Sequence, residues 1–326
     1  SQYDSGLGRD DRNLRDLSLG GLSWTAQWTP AWSSRLSYSE SRDRYETTPS
    51  PYLTSTELRN YLLHNEVRLG EHILSADLER REDHLENAPI NQTRTQDGLA
   101  LGYGYVHQQH TVQLNVRHDN DSEFGGQNTA SAAYGFAITP QWRATASVGS
   151  AYRAPTLYQR FSIYGVASLT PETARNAELG LRYSQGSTSL GVVVYRNKVE
   201  NLITFSSPGP CGSSFGCYAN TARAQYSGVT FTGTYKWADI QLGASLDLQN
   251  PRDETANKQL ARRAKQHGVV TADTRVGNWT LGAEVQFSGE RFDNVDNKVV
   301  LAGYSLFNLS ASTAIAQDWT LQARVD

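Results

Sequence analysis

Gly277-Asn278-Trp279-Thr280-Leu281-Gly282-Ala283-Glu284-Val285-Gln286-Phe287-Ser288 alternates without a break after its turn. One set of positions carries Trp279, Leu281, Ala283, Val285 and Phe287; the other carries Thr280, Gly282, Glu284, Gln286 and Ser288. A period of two puts the sets on opposite faces of an extended strand. Many soluble strands stop after about five or six residues. A run of about ten is what a tilted strand needs to cross a bilayer, and a tryptophan at its turn end suits the membrane–water boundary.

The same pattern extends outward from this stretch. Ile240, Leu242, Ala244, Leu246 and Leu248 alternate with Gln241, Gly243, Ser245, Asp247 and Gln249. Trp142, Ala144, Ala146 and Val148 alternate with Arg143, Thr145 and Ser147, and Val112, Leu114 and Val116 with Gln113, Asn115 and Arg117. About sixteen such segments are expected: 13–28, 32–43, 54–69, 73–85, 92–106, 111–119, 127–138, 142–152, 172–185, 188–205, 217–237, 240–250, 261–276, 279–293, 299–314 and 319–326. Short turns fall at Thr29-Pro30-Ala31, Gly70-Glu71-His72, Thr139-Pro140-Gln141, Gln185-Gly186-Ser187, Ala238-Asp239, Gly277-Asn278 and Gln317-Asp318. Long polar loops are expected between them, at 44–53, 86–91, 120–126, 153–171, 206–216, 251–260 and 294–298. Short turns on one rim and long loops on the other describe an outer-membrane β-barrel. Trp28, Trp32, Trp142, Trp237, Trp279 and Trp319 flank the short turns, with Trp24 a little further in. This girdle orients the chain, with short turns periplasmic and long loops outside.

Composition agrees. Mean hydropathy is -0.55, and no apolar run approaches the eighteen or so residues of a spanning helix. Gly 27 and Tyr 17 with Met 0 suit strands and aromatic girdles. The net charge is -3 and the basic residues are not clustered along the sequence, so no nucleic-acid partner is expected. The two cysteines, Cys211 and Cys217, share a Gly/Ser/Pro-rich stretch, which reads as one local disulfide in an oxidising compartment.

Catalytic motifs are lacking. No phosphate loop, zinc-spaced cysteine pair or His-Glu-x-x-His helix occurs, and no serine has a matched histidine and acid, so no enzyme is expected. His107 and His110 read as exposed at a turn. Asp119-Asn120-Asp121-Ser122-Glu123 is rich in oxygen ligands but lacks the spacing of a dedicated calcium loop, which favours solvated charge.

Ser150-Ala151-Tyr152-Arg153-Ala154-Pro155-Thr156-Leu157-Tyr158-Gln159, then Leu169-Thr170-Pro171-Glu172 and Asn176-Ala177-Glu178-Leu179-Gly180, resembles the barrel of TonB-dependent outer-membrane receptors. Tyr195-Arg196-Asn197, Tyr218-Ala219-Asn220 and Gly228-Val229 continue the likeness. Leu260-Ala261-Arg262-Arg263-Ala264-Lys265-Gln266 looks like the cobalamin-receptor branch, since siderophore receptors tend to carry Pro after the Arg pair. Asp119 to Gly125 also resembles that branch.

The resemblance implies a Gram-negative outer-membrane barrel of about twenty-two strands whose lumen holds a plug domain. It implies cobalamin or a related large chelate as ligand, and coupling to TonB through an N-terminal segment. Outer-membrane lipid and lipopolysaccharide would surround the wall. Residues 1–326 are expected to be one partial barrel domain, lacking the plug, the TonB-binding segment and the closing strand. Arg262 and Arg263 match an Arg pair at the outer end of a strand, one of which would face the lumen and the ligand. Tyr158 and Phe161, with Tyr164, Phe215 and Tyr218, would grip a flat corrin ring or pack the loops together. Asp10 and Asp11 fall where the branch has calcium-binding acids, though Tyr38-Ser39 stands where a Tyr-Asp pair belongs. A ferric siderophore or haem receptor and a passive porin-type barrel are the alternatives.

Overall fold

The alternation becomes one long antiparallel sheet in a computed structural model that describes residues 2–4, 10–49, 52–206 and 209–326. The first half comprises β1 (Gln2–Asp4), β2 (Asp10–Thr29), β3 (Trp32–Thr48), β4 (Tyr52–Leu69), β5 (His72–Asn87), β6 (Ile90–His107), β7 (His110–Asp121), β8 (Gly125–Ala137) and β9 (Trp142–Arg153). Helix α1 (Leu157–Phe161) follows, then β10 (Glu172–Gln185), β11 (Thr188–Ser206), β12 (Cys217–Trp237) and β13 (Ile240–Asp253). The chain ends with β14 (Lys258–Gln259), β15 (Gln266–Val276), β16 (Trp279–Ser288), β17 (Arg291–Phe292), β18 (Val300–Leu301), β19 (Tyr304–Ala316) and β20 (Trp319–Val325). Sixteen of these have seven residues or more, in line with the alternating segments; β1, β14, β17 and β18 are shorter. Each long strand pairs with the next in chain order.

Register turns single-strand patterns into continuous faces. Leu36, Leu63, Leu78 and Leu99 stand side by side across β3–β6, as do Leu179, Val194, Val229 and Leu248 across β10–β13. Leu36, Leu78, Leu179 and Val194 are each more than half exposed. Apolar exposure on this scale has no place on a water-soluble monomer and is the lipid face of a barrel wall. The opposite face carries Glu79, Arg117, Asn197 and Asp247. The small buried apolar cluster of Val199, Ala224 and Leu260 lies on this inner side, under the outer connections.

One rim has tight turns throughout. Connections 30–31, 70–71, 108–109, 186–187, 238–239, 277–278 and 317–318 are two residues long. Two-residue hairpins favour a positive φ, and five of these seven have one, at Gly70 (63°), Gly186 (58°), Gly277 (60°), Gln108 and Ala238. The other rim departs from expectation. Stretches 44–53, 86–91 and 120–126 are largely strand, because β3 reaches Thr48, β5 reaches Asn87 and β7 reaches Asp121. Polarity there marks strand that has left the apolar band. Polar contacts there, such as Arg44 with Glu46 (3.1 Å) along β3 and the Asn87 side chain donating to Leu53 O (2.7 Å) on β4, satisfy these groups. Only 154–171, 207–216, 254–265 and 289–303 are long connections. β15 begins at Gln266 and β19 at Tyr304, each five residues later than the alternation suggested.

All seven tryptophans are exposed near the tight-turn rim. Trp24, Trp28 and Trp32 form a chain with ring centroids 6.0 and 5.8 Å apart. Between Trp32 and Trp142 the belt is continued by histidine and tyrosine: His72 packs on Tyr105 at 5.1 Å and His110 on Phe136 at 5.2 Å. His107 and His110 are thus girdle residues, a role that their position at a turn did not reveal.

Candidate functional site: the outer rim

The connection 154–171 is folded onto the rim of β4–β7. Arg94, on β6 and only 5% exposed, is the anchor. It donates to Asp83 (2.5 Å) and to the Pro155 carbonyl (2.5 Å), and lies 3.6 Å from Asp121. Arg81 adds a 2.8 Å bond to Asp83. Asp121 also accepts the backbone N–H groups of Glu123 (2.9 Å) and Phe124 (3.2 Å), closing its turn. Glu123 pairs with Arg160, whose guanidinium lies over Phe124 and Phe161 at 4.9 and 4.8 Å. Arg117 holds Asp119 at 2.6 Å. Each carboxylate of Asp119–Glu123 therefore lies beside a guanidinium group.

The expected loop around α1 contains one helical turn. Thr156 caps it, accepting from Gln159 N at 3.1 Å, while the Gln159 side chain accepts from Thr156 N at 2.9 Å. This capping box was legible in Thr156-Leu157-Tyr158-Gln159. It presents Tyr158 to Tyr52, their hydroxyls 2.6 Å apart. Burial, reinforced by that hydrogen bond, pushes the Tyr158 phenol well above the usual tyrosine range.

Tyr158 also meets Tyr218 edge-on at 6.4 Å; Tyr218 meets Phe205 at 5.4 Å, and Phe205 meets Tyr164 at 5.9 Å. Three of the five aromatics expected at the ligand or in loop packing thus pack with one another, joined by Tyr52 and Phe205, which the sequence did not single out. Phe161 lies under Arg160 at the edge of a cleft of about 650 Å³, with Ile163 and Tyr164 opposite Leu53 and Pro89. Phe215 is 79% exposed.

The Phe215 loop is closed by a Cys211–Cys217 disulfide with Cα atoms 5.7 Å apart. It is sewn to the α1 connection by Tyr218 N donating to Tyr164 O (3.0 Å) and Thr170 N donating to Asn220 (3.0 Å). The α1 connection and the disulfide loop thus form one packed layer.

Arg262 and Arg263 lie in a turn between β14 and β15, and not on a strand. Strand alternation therefore does not decide which of them faces the lumen, and that expectation is corrected. Arg262 adopts φ 58° and its side chain bonds Asp293 at 2.8 Å. Arg263 is exposed and, among the described residues, has no ion-pair partner. Of the calcium candidates, the Asp10 side chain lies outside the described residues. Asp11 is 1% exposed and engaged. No group of three or more His, Cys, Asp or Glu gathers for a metal among the described residues.

The family model described as "TonB dependent receptor-like, beta-barrel" matches residues 1–326. The vitamin B12 transporter BtuB of Vibrio cholerae serotype O1 is 31% identical over 229 residues, covering 67% of this chain and 36% of that protein. The BtuB of Vibrio vulnificus is 28% identical over 218 residues, 66% and 35% of the two chains. The chain thus spans about a third of the length of these curated relatives. Among solved structures, the Pseudomonas aeruginosa ferric enterobactin receptor PfeA superposes with a TM-score of 0.77 at 17% identity, over 96% of this chain and 56% of that one. The copper transporter OprC superposes at 0.78 with 13% identity, over 94% and 60%. At these identities the superpositions speak for the fold alone.

Proposed function

The chain belongs to the TonB-dependent receptor family of outer-membrane β-barrels, and from that premise we propose that it is the wall and outer-loop layer of a cobalamin uptake receptor. Its relatives are transporters and receptors, not enzymes. The observation that carries the cobalamin reading is the 31% identity to a vitamin B12 transporter. In the whole protein, a plug would fill the polar lumen and a TonB-binding segment would draw on the inner membrane's proton-motive force to release ligand inward.

The outer-loop layer fits a large ligand. Tyr158, Tyr164 and Tyr218 stiffen it, leaving Phe161 at the cleft and exposed Phe215 to meet the corrin ring. Arg263 is the better ligand donor of the Arg pair, because Arg262 is already tied to Asp293. A guanidinium can donate to the amide and phosphate oxygens of cobalamin.

Binding of cyanocobalamin to the full-length protein tests this. A dissociation constant near ~1 nM is expected. Tight binding of a ferric chelate with none of cobalamin would reassign the ligand. Arg263→Ala should weaken cobalamin binding about tenfold, the loss of one charge-assisted bond, and more than Arg262→Ala does. Equal or absent effects would remove Arg263 from the site.

A further inference from the structure

Beyond ligand uptake, we infer that the outward face of β10–β13 carries a binding site for the phosphorylated head group of an outer-leaflet lipid. The inference rests on the membrane placement of the wall and is independent of the cobalamin reading.

Directly above the apolar row Leu179–Val194–Val229–Leu248, the next row on the same face is Ala177–Arg196–Ser227–Asn250. The row above that is Arg175–Lys198–Gln225–Arg252, and Glu200 pairs with Arg223 higher still. Arg175, Arg196, Lys198, Arg223 and Arg252 are all exposed, while Asn176, Val199, Ala224 and Pro251 beside them turn inward and are half-buried or buried. The alternation therefore sends these five cations outward, toward the same side as the lipid-facing leucines.

None of the five forms a salt bridge among the described residues. Arg196 donates to neutral Gln225 (2.8 Å) and Arg252 to neutral Asn257. Two carboxylates accompany them, Glu200 and, just past the end of β13 beside Arg223, Glu254. Arg175 to Arg252 spans three strand steps, roughly 15 Å, so the patch can engage more than one phosphate. Acyl chains covering the apolar rows would bring an attached head group to this height. Arginine forks and a lysine ammonium match phosphate oxygens. The cost of clustering like charges is offset only if an anion sits there.

The test uses the full-length protein in detergent micelles and native mass spectrometry with bisphosphorylated lipid A. Wild-type protein should retain the lipid. Arg175→Gln/Lys198→Gln/Arg252→Gln should lose affinity by roughly fivefold per cation near an anionic surface, about a hundredfold for three. Arg175→Lys/Arg252→Lys, which keeps the charge, should retain most of it, and heat-modifiable migration on gels reports that each variant is folded. Arg80→Gln, on the outward face of β5, is the control and should bind like wild type. Undiminished binding in the folded triple variant, or equal binding of dephosphorylated lipid, would overturn the assignment. Displacement by excess inorganic phosphate would also overturn it, as the mark of a free-anion site.

Discussion

Above the apolar band, β3–β6 and β10–β13 rise to the same rim but treat charge in opposite ways. On β3–β6 the outward charges close on one another: Arg59 with Glu40 and Glu57, Arg80 with Glu82 and Asp97, Arg44 with Glu46. The inner face of that wall does likewise, with Arg94 between Asp83 and Asp121. On β10–β13 five outward cations meet two carboxylates, Glu200 and Glu254, and none of the five forms a salt bridge among the described residues. The first wall's ionic chemistry is spent on itself and on seating the α1 connection. The second wall's is left for something outside the chain.

That contrast can be broken or sharpened by mutation. The largest effect is expected at Arg94→Ala. It leaves buried Asp83 with Arg81 alone and buried Asp121 with only its turn N–H donors, and frees the Pro155 carbonyl, at a cost of about 3 kcal/mol. Urea unfolding of the full-length barrel measures it, and a loss below that of an ordinary surface change would show that the first wall does not depend on internal pairing. Next is the covalent brace of the second wall's loops. Replacing Cys211 and Cys217 by Ser should destabilise the loop by about 2 kcal/mol, seen as faster proteolysis near Phe215 with strand contacts unchanged. Unreduced wild-type protein should be about two daltons lighter than the reduced form, by the two hydrogens lost in the bridge; two alkylatable thiols would refute the bridge. The smallest stability effect is expected at Arg175→Gln, within roughly 0.5 kcal/mol, although it weakens lipid binding. A large loss of stability there would mean that the second wall also spends its cations on itself.

Legibility differed along the chain for physical reasons. Alternation in Ile240–Gln249 announced β13 because side-chain period is a property of one strand. It failed at 44–53 and 86–91, where polar sequence was taken for loop. A strand outside the hydrocarbon needs no apolar face if its polar groups find partners, as Arg44 does in Glu46 and Asn87 in the Leu53 carbonyl. The Arg262-Arg263 pair was read at the outer end of a strand, but lies in the connection before β15. Among the outer aromatics, Tyr158 and Tyr218 were found, but their packing against Tyr52 and Phe205 depends on loops meeting across the rim.

Sequence by itself determined the strand faces, the tryptophan girdle and its orientation, and the local disulfide. Each depends on residues a few positions apart, where backbone geometry alone sets who is neighbour to whom. Tertiary structure decided that Arg94 holds the Pro155 carbonyl 61 residues away, and that Arg175, Arg196, Lys198, Arg223 and Arg252 share one outward patch. Those cations look scattered along the chain. Antiparallel register brings them into adjacent rows, because pairing between strands, and not spacing within one, sets their height above the membrane.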